Sequence, residues 1–131
     1  MINNIGRCFE LSGKFIMNNP EWKLIHAVIT DRVFGTGSSI THAWCEKDGI
    51  VYDPVLEEEF PAIAYYGLYG VVDYKYNDYE KKNSIPESLK IQYDYKEAIE
   101  IMLQTENYGP WDQKIIEYED VIGNKKATID R

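Results

Sequence analysis

The dipeptide Asp48-Gly49 constrains the fold of this 131-residue chain more than any other feature. It suits the positive φ angles of a two-residue reverse turn, whose twist matches that of paired strands. Two runs of strand-forming residues flank it, Ile40 to Glu46 and Ile50 to Asp53. With Asp48 and Gly49 as the loop, Lys47 pairs with Ile50, Trp44 with Asp53 and His42 with Val55. Side chains alternate between faces along a strand, so His42, Trp44 and Asp53 share one face and Cys45 takes the other. His42 and Asp53 are then diagonal neighbours, roughly 7 Å apart between backbones and within reach of an imidazole and a carboxylate leaning together. A slip of one residue sends one of them to the opposite face.

Elsewhere the periodicity alternates between helix and strand. Cys8 to Met17 reads as a helix with Phe9, Phe15 and Ile16 apolar, Asn3 or Asn4 upstream as a cap, Gly13 weakening it and Asn18-Asn19-Pro20 ending it. Cys8 then lies at a helix N-terminus, where free amides and the helix dipole favour a thiolate. Lys23 to Thr30 reads as a buried strand, rich in branched residues. Glu57 to Tyr66 fits either a short helix or a lid-like loop, and Gly67 to Tyr76 a further strand. Glu80 to Pro86 reads as a polar connection. Asp94 caps a helix from Tyr95 to about Leu103, with Ala98, Ile99, Met102 and Leu103 on one face. Tyr108-Gly109-Pro110-Trp111 is a turn with aromatic anchors, Lys114 to Val121 a last strand or helix, and 123–131 a loose tail. The expected fold is α+β, a single domain over 1–131 in which an N-terminal helix packs on an antiparallel sheet.

Composition excludes several functions. A formal net charge of −8 opposes a domain that binds nucleic acid by neutralising phosphates. Gly35-Thr36-Gly37-Ser38-Ser39 lacks the lysine and the strand-to-helix context of a phosphate loop. Met1 to Arg7 has no basic segment followed by an apolar run, and no stretch is long enough to span a bilayer, so a cytoplasmic protein without membrane association is expected. Two cysteines are too few for a disulfide framework. Neither they nor the two histidines are spaced as zinc ligands, so no metal or organic cofactor is implied.

The remaining chemistry is that of a thiol. A nucleophilic thiolate needs an imidazole to take its proton, and the imidazole needs a third group to fix its orientation. Cys8, His42 and Asp53 supply the three in chain order. Taken singly, each has a plainer role: a buried structural thiol, a strand histidine bonded to a carbonyl, a turn cap before Pro54. His26, with apolar neighbours on both sides, is a rival base that a sheet would bring beside His42, or a core histidine. Trp44 shields the pair or simply packs, and Glu46 faces solvent, pairs with a lysine or helps to hold the imidazole. Glu57-Glu58-Glu59 reads as a solvated turn.

A cysteine at a helix start, a strand with His42-x-Trp44-x-Glu46, a turn and Tyr52-Asp53-Pro54 resemble the core of the transglutaminase-like and papain-like cysteine enzymes. The resemblance spans about Asn4 to Val55. The chain is also similar to small uncharacterised bacterial and phage proteins in Arg7-Cys8-Phe9-Glu10-Leu11 and Tyr108 to Trp111. The family resemblance implies Cys8 as nucleophile, His42 as general base, Asp53 as its orienting group, and acyl transfer from a peptide or protein amide. Papain-like enzymes usually place a glutamine before the cysteine to complete the oxyanion hole. None precedes Cys8 here, and Asn4 would take its place together with the Cys8 amide. The competing expectation is an inactive acidic protein, phage-encoded, that binds and blocks a protein partner.

Overall fold

A computed structural model describes residues 7–30, 39–69 and 89–117. They form five strands and four helices: α1 Cys8–Asn18, β1 Lys23–Thr30, β2 Ser39–Lys47, β3 Ile50–Asp53, β4 Glu58–Pro61, α2 Ala62–Tyr69, β5 Leu89–Tyr93, α3 Tyr95–Thr105 and α4 Gln113–Ile116. The sheet is antiparallel throughout, in the order β4-β3-β2-β1-β5. The fold is therefore α+β.

The turn between β2 and β3 forms as expected, with Asp48 at φ 51° and Gly49 at φ 79°. Lys47 pairs with Ile50, Glu46 with Val51 and Cys45 with Tyr52. On the other side of β2, Leu24 lies opposite Cys45, His26 opposite Ala43 and Ala27 opposite His42. Residues opposite one another share a face, so these registers sort the core into two layers. Leu24, Ala43, Cys45 and Tyr93 pack with Phe9, Ile16, Ala98 and Met102 of α1 and α3. Ile25, Ala27, Trp44 and Val51 pack on the other side with Tyr65 of α2. Leu24 to Ile29 are buried without a break because β1 is covered on both faces.

Local chemistry places the helix ends. Asp94 and Glu97 form a reciprocal capping box at the start of α3, the side chain of each accepting from the backbone amide of the other. Gly13 is compatible with α1 because Tyr108 occupies the space a side chain would need: a Cβ there would lie 2.6 Å from Tyr108 Cδ1. No side chain caps α1 among the described residues, and Asn3 and Asn4, the expected caps, lie outside them.

Four elements differ from expectation. Within Glu57 to Tyr66, read as a short helix or lid-like loop with Glu57-Glu58-Glu59 as a solvated turn, Glu58–Pro61 form the edge strand β4 against β3, and only Ala62 onward is helical. Gly67 to Tyr69 continue α2 instead of opening a strand, and 70–76 lie outside the described residues. β5 was not anticipated, because Leu89-Lys90-Ile91-Gln92-Tyr93 alternates too briefly to stand out. Of Lys114 to Val121, the first three residues belong to α4. Among the described residues no helix is long and apolar enough to cross a membrane.

His26 is fully buried on the face covered by α1 and α3, and neither ring nitrogen has a hydrogen-bond partner among the described residues. Phe9, Tyr93 and Trp111 surround it, with ring centroids 4.7, 5.2 and 4.8 Å away. Burial pushes its pKa down to about 3. The unfolded chain takes up a proton near pH 6.5, which the folded ring refuses, so this stability is full above 6.5 and lost as pH falls toward 3. Urea titrations should show a loss of about 1.4 kcal/mol per pH unit below 6.5 from this group. In His26→Phe, which keeps an aromatic ring in the box, that slope should flatten.

Candidate active site

The candidate site lies where β2 runs on past the end of β3. β3 stops at Asp53, and its register covers only Cys45 to Lys47 of β2. His42 belongs to the stretch beyond, and Cys8 is the first residue of α1. The Cys8 thiol packs among the side chains under α1 and is near enough to His42 to favour its protonated form. The first helical bond runs from the Leu11 amide to the Arg7 carbonyl at 2.9 Å, so the amides of Cys8, Phe9 and Glu10 precede the hydrogen-bonded ladder. Arg7 donates through Nε and Nη2 to the carboxylate of Glu10, each at 3.1 Å. Lys14 joins from the next turn, and the two cations hold the Glu10 carboxyl at about 2.

His42 Nε2 is 3.3 Å from Asp53 Oδ2 and 2.9 Å from Tyr65 Oη. Tyr65 donates to the same Asp53 Oδ2 at 2.6 Å. The other carboxylate oxygen, Oδ1, accepts from the amides of Val55 at 2.9 Å and Leu56 at 3.3 Å. Asp53 thus fills both roles open to it in the sequence, a turn cap through Oδ1 and a partner of His42 through Oδ2. It is 1% exposed, so its charge depends on these bonds instead of water.

The two ionisable groups stabilise each other. Burial opposes a charge on His42, but its bonds to Asp53 and Cys8 and the fields of both outweigh that, and the ring is pushed up to about 10. Burial likewise pushes the Asp53 carboxyl up. His42, Tyr65 and the Leu56 amide more than offset this, and hold it below the ordinary carboxylate range. The stabilisation from Asp53 is present above about pH 3.8 and lost in more acid solution, whereas that from His42 is full below about 6.5 and lost as pH rises through about 10.

The other expected site residues are placed as follows. Trp44 is fully buried beside His42, with ring centroids 5.7 Å apart, and donates from Nε1 to Glu46 at 2.8 Å. Glu46 therefore holds the indole and not the imidazole. It also accepts from the Tyr66 hydroxyl and lies 3.7 Å from Lys90 Nζ. His26 does not join the site, because it shares a face with Ala43 and so projects away from His42. Cys45 faces the α1 side as its alternation required, and its thiol donates to the Ser12 carbonyl at 3.6 Å. Asn4, the oxyanion candidate, lies outside the described residues. Tyr65 is the residue that sequence reasoning underrated. The chain holds eleven tyrosines, and Tyr65 sits in a segment whose secondary structure was ambiguous, so nothing tied it to Asp53. Among the described residues no cluster of His, Cys, Asp and Glu could hold a metal ion.

In comparison with known proteins, no family model, curated protein or solved structure matches the chain.

The two oxygens of Asp53 can be separated by substitution. Asp53→Ala removes the turn cap and leaves His42 without its carboxylate, and should cost about 3 kcal/mol in urea denaturation at pH 7. Asp53→Asn keeps an oxygen for the Val55 and Leu56 amides and should recover part of that loss. Equal stability of the two variants would mean that the turn cap contributes nothing.

Proposed function

We propose that the chain is a cysteine-dependent acyl-transfer enzyme, built on an α+β core like that of the papain-like and transglutaminase-like enzymes. The carrying observation is His42, hydrogen-bonded to the buried Asp53 and held in its protonated form with the help of the neighbouring Cys8 at the start of α1. His42 Nε2 is engaged by Asp53 and Tyr65, which leaves Nδ1 as the nitrogen for the thiol proton. The substrate is a peptide or protein amide. With His42 an imidazolium the thiol proton already rests on the ring, and the Cys8 thiolate attacks the carbonyl carbon to form a tetrahedral adduct. The adduct's oxyanion would meet the Cys8 amide at the open start of α1. His42 returns the proton to the departing amine as the C–N bond breaks, leaving a thioester. Water or a second amine then takes the acyl group and regenerates the thiol.

An open groove of about 450 Å³ runs along α1 between Leu11 and Phe15 on one side and Tyr52 and Pro54 on the other, and none of Cys8, His42 and Asp53 lines it.

A second reading, that of a catalytically inactive acidic binding protein, has one observation in its favour. Cys8 is only 4% exposed. Such a protein would keep the Cys8–His42–Asp53 chain as a structural network and use its charge of −8 to meet a basic partner.

Iodoacetamide alkylation of Cys8, followed by peptide mass spectrometry across pH 5 to 9, separates the two readings. For the enzyme, Cys8 should react at pH 6, and His42→Ala should slow it by about tenfold or more, because only the thiolate is nucleophilic. A Cys8 that is inert in the native protein, or indifferent to His42, would contradict the enzyme reading.

A further inference from the structure

We infer that Tyr65 is the positioning residue through which Asp53 acts on His42, so that the site is a four-member chain of Cys8, His42, Tyr65 and Asp53. The inference rests on the reading above only in taking Cys8 and His42 as the reacting pair. The direct contact between His42 Nε2 and Asp53 Oδ2 is 3.3 Å, beyond the usual range for an N–H donor to oxygen. The path through the phenol is shorter at both steps, 2.9 Å from Nε2 to Tyr65 Oη and 2.6 Å from Oη to Oδ2.

Proton counting sets the direction of these bonds. An ionised carboxylate only accepts, so the single phenolic proton points at Oδ2. The Oη lone pairs that remain face Nε2, which must then carry the hydrogen. The arrangement is Nε2–H to Oη, and Oη–H to Oδ2. It fixes Nε2 as the protonated nitrogen and leaves Nδ1 to the thiol. Both bonds end on a charged group when His42 is an imidazolium, which strengthens each.

The surroundings hold this geometry. Asp53 is held in place by the Val55 and Leu56 amides on Oδ1. Tyr65 is fully buried, and its ring packs against Trp44 and Phe60, with centroids 5.2 and 5.3 Å away. α2 therefore presents a phenol with few rotamers open to it, at the one point where the carboxylate falls short of the imidazole. The family resemblance assigns the orienting role to Asp53 alone, and gives α2 no part in it.

Tyr65→Phe removes Oη and keeps the ring. The alkylation rate of Cys8 against pH is the readout, since mere core filling by Tyr65 would not move it. The rate at pH 6 should fall about tenfold in Tyr65→Phe and in Asp53→Asn. The double variant should be no slower than the worse single one, because the two act in series. Replacement of Tyr65 by 2,3-difluorotyrosine, which keeps the hydroxyl but makes it a poorer acceptor, should shift the profile the same way by less, and covers the case in which Tyr65→Phe does not fold. Profiles unchanged from wild type in the folded variants, or additive losses in the double variant, would overturn the inference. His42→Ala is the separate control: if it too leaves the profile unchanged, the reacting pair itself is wrong.

Discussion

The register of β2 against its neighbours is the constraint on which the rest of the structure depends. A strand has only two faces, so one pairing choice decides which layer receives every side chain. The Asp48-Gly49 turn sets Lys47 against Ile50, and His42, Trp44 and Asp53 follow onto the α2 side. Ala43 and Cys45 follow onto the other side, where α1 needs small residues and a thiol to pack against. Shifting β2 by one position would bury His42 under the helices and turn Trp44, now fully buried, out of its layer. The hydrophobic pattern and the polar site thus require the same register.

The two histidines show how far environment outweighs residue type. His26 and His42 sit on adjacent strands, separated by one step of register, yet burial drives one pKa down to about 3 while charged partners raise the other to about 10. Burial penalises the charged form at both positions. At His26 aromatic rings and the Gly109 backbone pack on the imidazole, and no charged group among the described residues offsets the penalty. At His42 a carboxylate and a thiol oppose it. Where both ring nitrogens stay bare, the residue is a packing element with an acid liability. Where a buried carboxylate and a phenol meet the ring, its protonated form is the stable one.

Much of this was legible in the sequence, for local reasons. Strand β1 and the hairpin follow from branched runs bounded by turn residues, and α3 follows from the Asp94 cap and its apolar stripe. Cys8 at a helix start and His42 facing Asp53 follow from the same local rules. What stayed hidden depends on contacts distant in the chain. Tyr65 is one of many tyrosines until α2 folds onto the sheet, and α2 itself reads poorly because Ala62-Ile63-Ala64-Tyr65-Tyr66-Gly67-Leu68-Tyr69 is apolar on all sides. The separation of His26 from His42 was within reach, since antiparallel pairing of β1 with β2 opposite Ala27 puts them on different faces. It required a register between strands joined by a long connection, and no turn residue supplies one.

The central claim is that His42 is held as an imidazolium between Cys8 and Asp53. Nitrogen-15 NMR of the imidazole rings across pH 5 to 9 tests it most directly, because the chain has only two histidines. The account predicts one ring that is neutral throughout, His26, and one with both nitrogens protonated past pH 8, His42, whose signature is lost when Cys8 and Asp53 are replaced. A His42 ring that titrates near the ordinary value of about 6.5 would contradict the account.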